Sequence, residues 1–237
     1  MALTICVKGS NDSRKVHKEL GDCPTSQRIL MILRLKKVVP PFKEYFVDPN
    51  KKDTKKWEEF VGMSQGRLKL PVLLHGDLEP MEDSDRIEMY LDETFEPSLK
   101  SKNEKANNAG RDLYSKFALF MRNNNPEKDE KLRDALNKEL TKLNEFLDSV
   151  ESPGKYLDGD ELKLPDCNLL PKLMHVKVAG ELKGLELKNF QFVVEYLEKA
   201  SQQNAFKDTF TDSVKKDIEA GWRKKMGNSA AGCNSRK

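Results

Sequence analysis

Gly21-Asp22-Cys23-Pro24-Thr25-Ser26-Gln27-Arg28 runs without a break into Ile29-Leu30-Met31-Ile32-Leu33. Proline is favoured at the first position of a helix, because its missing N–H has no intrahelical partner there and its φ is already helical. The stretch therefore predicts an apolar helix that begins at Pro24, with Cys23 as its N-cap. Backbone N–H groups point outward at such an end, and the helix dipole adds partial positive charge. A thiol in that setting is favoured as thiolate, the reactive form. This makes Cys23 the candidate nucleophile. Ser26 refines the chemistry, because it cannot close the local disulfide that a second cysteine at this spacing would form. An outside thiol such as glutathione then has to resolve any mixed disulfide at Cys23. The same residues also suit a cysteine that merely caps the helix, and the surrounding chain decides between the two.

Upstream, Leu3-Thr4-Ile5-Cys6-Val7 is β-branched and apolar and reads as a strand, bounded by a loop that starts at Lys8-Gly9-Ser10. Downstream, the helix should end near Lys36-Lys37, basic residues that suit the negative end of the dipole and read as solvated charge. Pro40-Pro41 forbids continuation. Phe42 to Val47 is a second strand, and strand, helical crossover and strand make a βαβ unit. Lys55 to Val61 is a short amphipathic helix, and Leu70 to Leu74 is a strand entered through Pro71. His75-Gly76-Asp77 is a turn and Leu78 to Met81 a short return strand. Asp83-Ser84 supplies N-cap chemistry for a further helix. The order to this point is βαβαββα.

Phe95 to Ser98 reads as a linker, and beyond it only helices are expected. Apolar residues recur at helical spacing from Ala109 to Met121, and again at Leu132, Leu136, Leu140, Leu143 and Leu147. Cys167 to Val178 is apolar enough for a core helix, and two more follow at Phe190–Ala200 and Ser213–Trp222. The expected division is residues 1–94, then 98–226, then a flexible tail at 227–237 that contains Cys233. The fold class is α+β followed by all-α.

Composition narrows the function. With 37% hydrophobic and 34% charged residues the chain reads as a soluble globular protein. A formal net charge of +3 across 237 residues does not suggest nucleic acid. Three histidines and four cysteines lie scattered, without metal-ligand spacing, so no metal is expected. Cysteines this sparse fit a reducing cytoplasm. No stretch reaches the roughly 18 apolar residues of a membrane-spanning helix. Cys6 and Cys167 read as small buried hydrophobes, and His75 and His175 as structural.

Cys23-Pro24-x-Ser26-Gln27-Arg28, Leu70-Pro71-Val72-Leu73-Leu74-His75-Gly76, Asp158-Gly159-Asp160-Glu161-Leu162 and Asp166-Cys167-Asn168-Leu169-Leu170-Pro171-Lys172-Leu173 together resemble the chloride intracellular channel family. That family belongs to the omega-like branch of the glutathione transferase superfamily. The resemblance implies a thioredoxin-like N-terminal domain joined to an all-α domain, with glutathione as cofactor. It implies that Cys23 is the glutathione-reactive cysteine, assisted at the helix start by Pro24 and Ser26. Thr25, Leu70, Pro71, Asp83 and Ser84 would form the glutathione site, with Pro71 in cis. Lys8, Arg28 and Arg34 would lie in a proposed membrane-entry segment. The family's properties are glutathione-dependent thiol oxidoreduction in a soluble, monomeric, cytoplasmic form, together with membrane insertion and anion conduction. Lipids and cytoskeletal proteins are the implied partners, and a non-catalytic scaffold is the alternative.

Three departures stand out. The loop from Lys8 to Cys23 is longer than usual. Arg34 occupies a position where tryptophan is usual in the membrane-entry segment, and Pro40-Pro41 adds a break after it; this departure and the longer loop both count against insertion. Lys163 replaces the Ser/Thr that caps the core helix of the second domain, which leaves Asp166 to cap it.

Overall fold

The computed structural model describes residues 2–231. Its first hundred residues give β1 (Leu3–Lys8), α1 (Pro24–Leu35), β2 (Lys43–Val47), α2 (Lys55–Met63), β3 (Val72–His75) and α3 (Ser84–Thr94). β1 pairs in parallel with β2, from Thr4 opposite Lys43 to Lys8 opposite Val47, with α1 as the crossover. It pairs antiparallel with β3, from Leu3 opposite His75 to Cys6 opposite Val72. The sheet order β2-β1-β3 puts β1 in the middle, which is why Ile5, Cys6 and Val7 form an unbroken buried run. Ile29 to Leu33 of α1 are all buried as well. Cys6, Val47, Trp57, Phe60 and Val72 form an apolar cluster, and burial pushes the Cys6 thiol up to about 12. Cys6 packs as a hydrophobe, as its sequence context suggests.

The expected fourth strand is reduced to one bridge. Leu73 and Met81 exchange backbone hydrogen bonds of 2.8 and 2.9 Å, while Leu78 and Glu79 stay exposed. Pro80 has no N–H to donate to a longer ladder. The sheet therefore has three strands, and the hairpin reading of Leu78–Met81 is corrected to a turn and a bridge.

Lys36 also departs from expectation. Rather than a solvated charge, its side chain is fully buried, against an Asp92 side chain that is 1% exposed. Lys36 Nζ donates to Asp92 Oδ1 at 2.5 Å, to the Pro97 carbonyl at 2.7 Å and to the Phe95 carbonyl at 3.0 Å. Asp92 accepts in addition from the Leu99 amide at 2.7 Å and the Ser98 hydroxyl at 2.8 Å. An ammonium and a carboxylate can be buried together when hydrogen bonds complete both, as they do here.

The later elements are α4 (Glu104–Asn108), α5 (Leu113–Arg122), α6 (Pro126–Asp148), α7 (Leu164–Gly180), α8 (Gln191–Ser201), α9 (Asn204–Lys207) and α10 (Asp212–Ala231). The helix expected from Ala109 starts only at Leu113, and the last helix runs on to Ala231 through the start of the expected tail. Cys233 lies outside the described residues. Leu136, Leu140 and Leu143 are buried and face the core as the spacing predicts. The Asp166 carboxylate accepts the Lys163 amide at 2.9 Å and the Tyr196 hydroxyl at 2.8 Å, and so does the capping that Lys163 cannot. His175 is buried and accepts from the Trp222 indole N–H at 2.9 Å.

The chain divides into two compact units, Met1–Lys100 with Asn204–Asp217, and Ser101–Gln203 with Ile218–Lys237. Residues 204–217, which the sequence reading places in the helical half, thus complete the first unit. The Gln27 side-chain amide reaches Thr209 Oγ1 at 3.4 Å, and the Asn11 amide donates to Asp217 Oδ2 at 2.9 Å.

Candidate active site

The chain enters α1 through a loop folded back on the end of β1. The Gly21 amide donates to the Lys8 carbonyl at 2.9 Å, and the Ser10 amide to the Glu19 carbonyl at 2.9 Å. Two glycines make this approach possible. A Cβ on Gly21 would stand 2.2 Å from the Gly9 carbonyl oxygen, and one on Gly9 would stand 1.8 Å from the Val16 carbonyl oxygen. Backbone packed this closely fixes where Asp22 and Cys23 emerge.

Cys23 is the N-cap of α1, with extended backbone and Pro24 at the first helical position. Its Sγ accepts from the Ser26 amide at 3.4 Å, while its carbonyl takes the Gln27 amide at 3.0 Å. Cys23 is half-buried, as are Pro24 and Thr25, so solvent reaches this helix end. Ser26 is fully buried, and its hydroxyl accepts from the Lys8 amide at 3.4 Å, tying strand to helix. Asp22, buried beside Cys23, pairs with Lys8 Nζ. Sequence reasoning missed Asp22, Gly9 and Gly21. Their roles depend on a backbone approach between residues too far apart in the chain to form a motif.

The Leu70–Pro71 peptide is cis. Cys6 pairs with Val72, so Pro71 and Leu70 continue the register towards Val7 and Lys8. This is the sheet end at which the Lys8 amide meets Ser26. Pro71 is buried and Leu70 half-buried.

Asp83 caps α3, its Oδ1 accepting the Arg86 amide at 2.8 Å and the Asp85 amide at 3.0 Å. The Arg86 amide first, then the Asp85 amide with the charges of Lys69 and Arg28, holds this carboxyl below its usual range. Asp83 is exposed and Ser84 half-buried at the helix start, where backbone donors favour a carboxylate ligand. Arg28 joins the two helix starts. It reaches from α1 to Asp85 at 2.7 Å and lies 3.7 Å from Glu88.

The remaining sequence candidates sit elsewhere. Arg34, three turns into α1, donates to Glu44 on β2 at 2.7 Å. Lys8, Arg28 and Arg34 thus all hold carboxylate partners within the first unit. Among the described residues, no group of three or more His, Cys, Asp or Glu is placed to hold a metal ion. No helix among them is long and apolar enough to cross a membrane.

A half-exposed sulphur at a helix N-terminus, with a buried hydroxyl where a second thiol would stand, is suited to exchange with an external thiol. Residues 22–94 match the family model described as glutathione S-transferase, N-terminal domain. Human chloride intracellular channel protein 3 is 34% identical, across 93% of this chain and 95% of its own length. The crystal structure of Chlamydomonas reinhardtii dehydroascorbate reductase superposes with a TM-score of 0.76 at 29% identity, covering 94% of this chain and 97% of that one. A homologue of the chloride intracellular channels from C. elegans shares the fold at a TM-score of 0.77 and 21% identity, covering 95% and 82%.

Proposed function

The chain belongs to the chloride intracellular channel family, on a glutathione transferase fold, and from that premise we propose that it is a glutathione-dependent thiol oxidoreductase acting through Cys23. The observation that carries the reading is the Cys23 sulphur accepting the Ser26 amide at an accessible helix start, with no second thiol at that spacing. In the first step the Cys23 thiolate attacks the glutathione sulphur of a mixed disulfide. The old S–S bond breaks, the partner thiolate leaves and takes up a proton, and Cys23 is left glutathionylated. In the second step an external glutathione thiolate attacks the glutathione sulphur on Cys23. Oxidised glutathione departs and the Cys23 thiolate is restored.

The glutathione site is supported by the two helix starts. The γ-glutamyl ammonium meets the Asp83 carboxylate, whose Oδ2 holds no hydrogen bond to a described residue. The γ-glutamyl carboxylate meets Ser84 and the first amides of α3. Thr25 borders the thiol, and the Leu70 backbone ahead of Pro71 pairs with the peptide. The test is reduction of a glutathionylated peptide, with dehydroascorbate as a second substrate because a relative is named for reducing it. Activity should fall to the uncatalysed background in Cys23→Ala. Retention of activity by that variant would leave a scaffold that docks on other proteins as the better account.

Anion conduction after membrane insertion is a second reading, and family membership supports it. It requires α1 to give up the Arg28–Asp85, Arg34–Glu44 and Lys36–Asp92 pairs. Chloride efflux from anionic liposomes, rising with added protein under oxidising conditions, is the expected result. No efflux across acidic and oxidising conditions would remove this reading.

A further inference from the structure

Helices α1 and α3 are tied together near both ends. At their far ends Lys36 and Asp92 are buried together and completed by hydrogen bonds, which fixes one end of α1 against α3. Near their starts Arg28 Nη2 donates to Asp85 Oδ1 at 2.7 Å, and Arg28 Nε lies 3.7 Å from Glu88 Oε2, one turn further along α3. The Asp85 side chain is 86% exposed, and an ion pair to a carboxylate so well hydrated adds little to folding. Arg28 itself is 11% exposed and Glu88 18%. A guanidinium is a planar, rigid fork, so when it is covered this deeply it fixes direction as well as distance between the groups it joins.

The groups it joins belong to the thiol and to the glutathione site. Arg28 stands in the second turn of the helix whose N-cap is Cys23. Asp85 follows Asp83 and Ser84 directly, and its amide donates to Asp83 Oδ1 at 3.0 Å. From α1 to the Asp83 carboxylate there are thus two links, Arg28 to Asp85 and the Asp85 amide to Asp83. Between Arg28 and the anchored Lys36, the buried run Ile29 to Leu33 makes α1 stiff. With the far end held, the spacing of the two helix starts rests on Arg28. Attack by a fixed thiolate on a bound disulfide is sensitive to displacements of about an ångström. Resting on the glutathione reading given above, we propose that Arg28 is a positioning residue: it sets the spacing between the Cys23 sulphur and the γ-glutamyl site at Asp83 and Ser84. It thereby selects glutathione disulfides over disulfides that lack the γ-glutamyl group.

The test compares two disulfides on the reduced full chain. Oxidised glutathione carries the γ-glutamyl group and bis(2-hydroxyethyl) disulfide lacks it, and mass spectrometry follows the adduct at Cys23. The readout is the ratio of the two second-order rates, in which thiol ionisation and the folded fraction cancel. The parent should react saturably with oxidised glutathione, at least about tenfold faster than with the other disulfide. Arg28→Met should lower the ratio about fivefold, through the half-saturating concentration of oxidised glutathione rather than the maximal rate. Arg28→Lys keeps the charge without the fork and should lower it about twofold. Asp85→Asn, at an exposed side chain, should move it the same way with unchanged circular dichroism. In an Asp83→Ala background Arg28→Met should change the ratio by less than about twofold, because the group it positions is gone. An unchanged ratio in either Arg28→Met or Asp85→Asn would overturn the proposal while leaving Cys23 as assigned. So would independent, multiplying effects of Arg28→Met and Asp83→Ala. A parent that reacts alike with both disulfides, without saturation, would remove the glutathione site itself and this inference with it.

Discussion

At its N-cap α1 offers a half-exposed sulphur; thirteen residues on, at its C-cap, Lys36 is fully buried and saturated by Asp92 and two carbonyls. The same helix therefore ends in two opposite ways. At the N-terminal end the protein leaves a sulphur within reach of solvent, held among the described residues only by the Ser26 amide. At the C-terminal end it supplies every partner itself, and the helix is anchored to the end of α3 and the linker beyond. Anchoring one end allows the other to present a reactive group without fraying.

The largest expected effect tests the anchored end. Lys36→Met leaves Asp92 buried with Lys100, 3.9 Å away, as its nearest remaining cation, a loss that costs about 3–5 kcal/mol. Calorimetry should show a melting temperature lower by roughly 6–20 °C, while turnover per folded molecule is retained. Exchanging both partners, as Lys36→Met with Asp92→Leu, should recover most of the loss. A negligible change in the single variant would make the two ends energetically alike and break the comparison.

Gly21→Ala comes next. The added methyl collides with the Gly9 carbonyl, an overpacking expected to cost about 1–3 kcal/mol. Because Gly21 stands two residues before Cys23, thiol alkylation should slow as well. A variant with parent-like reactivity would show that the loop does not place the sulphur.

The third measurement is stability against pH. Burial raises the Asp92 carboxyl, but the Leu99 amide, Lys36 and Ser98 outweigh it, and the net displacement is downward. A carboxyl lowered on folding contributes stability that is complete above its unfolded value, about 3.9. That contribution is lost as pH falls through the folded value. Denaturant titrations of the parent should therefore steepen in their decline below about pH 4, and Asp92→Asn should flatten that acid limb from an already lower plateau.

The smallest expected effect lies at the open end. Asp83→Ala should raise the glutathione KM by about tenfold, the scale of one charge-assisted hydrogen bond. The maximal rate should change little. A KM equal to the parent's would take Asp83 out of the glutathione site.

Much of the open end is legible in the sequence, because it rests on neighbours. Pro24 after Cys23 and Asp83 before Ser84 state two helix starts within a few residues, and the apolar run from Ile29 states the buried helix. The anchored end is not legible. A lysine at the end of a helix satisfies the dipole whether it is solvated or buried, and its partner Asp92 lies 56 residues away. The reach of residues 204–217 into the first unit is hidden for the same reason, and nothing local to Asn11 announces Asp217. The missing strand at Leu78–Met81 turned on Pro80, whose effect on a ladder depends on which edge it faces.

The bond between the Asn11 amide and Asp217 has a further consequence for how the molecule is made. The carboxylate is synthesised 206 residues after the amide that donates to it. At cellular elongation rates that interval is about 10–40 s. Throughout it the nascent chain carries its sulphur, sheet and first helix without the closing segment at Thr209 and Asp217. The first unit thus reaches its finished form only after residue 217 has been made, and termination before residue 204 would release a chain with that unit incomplete.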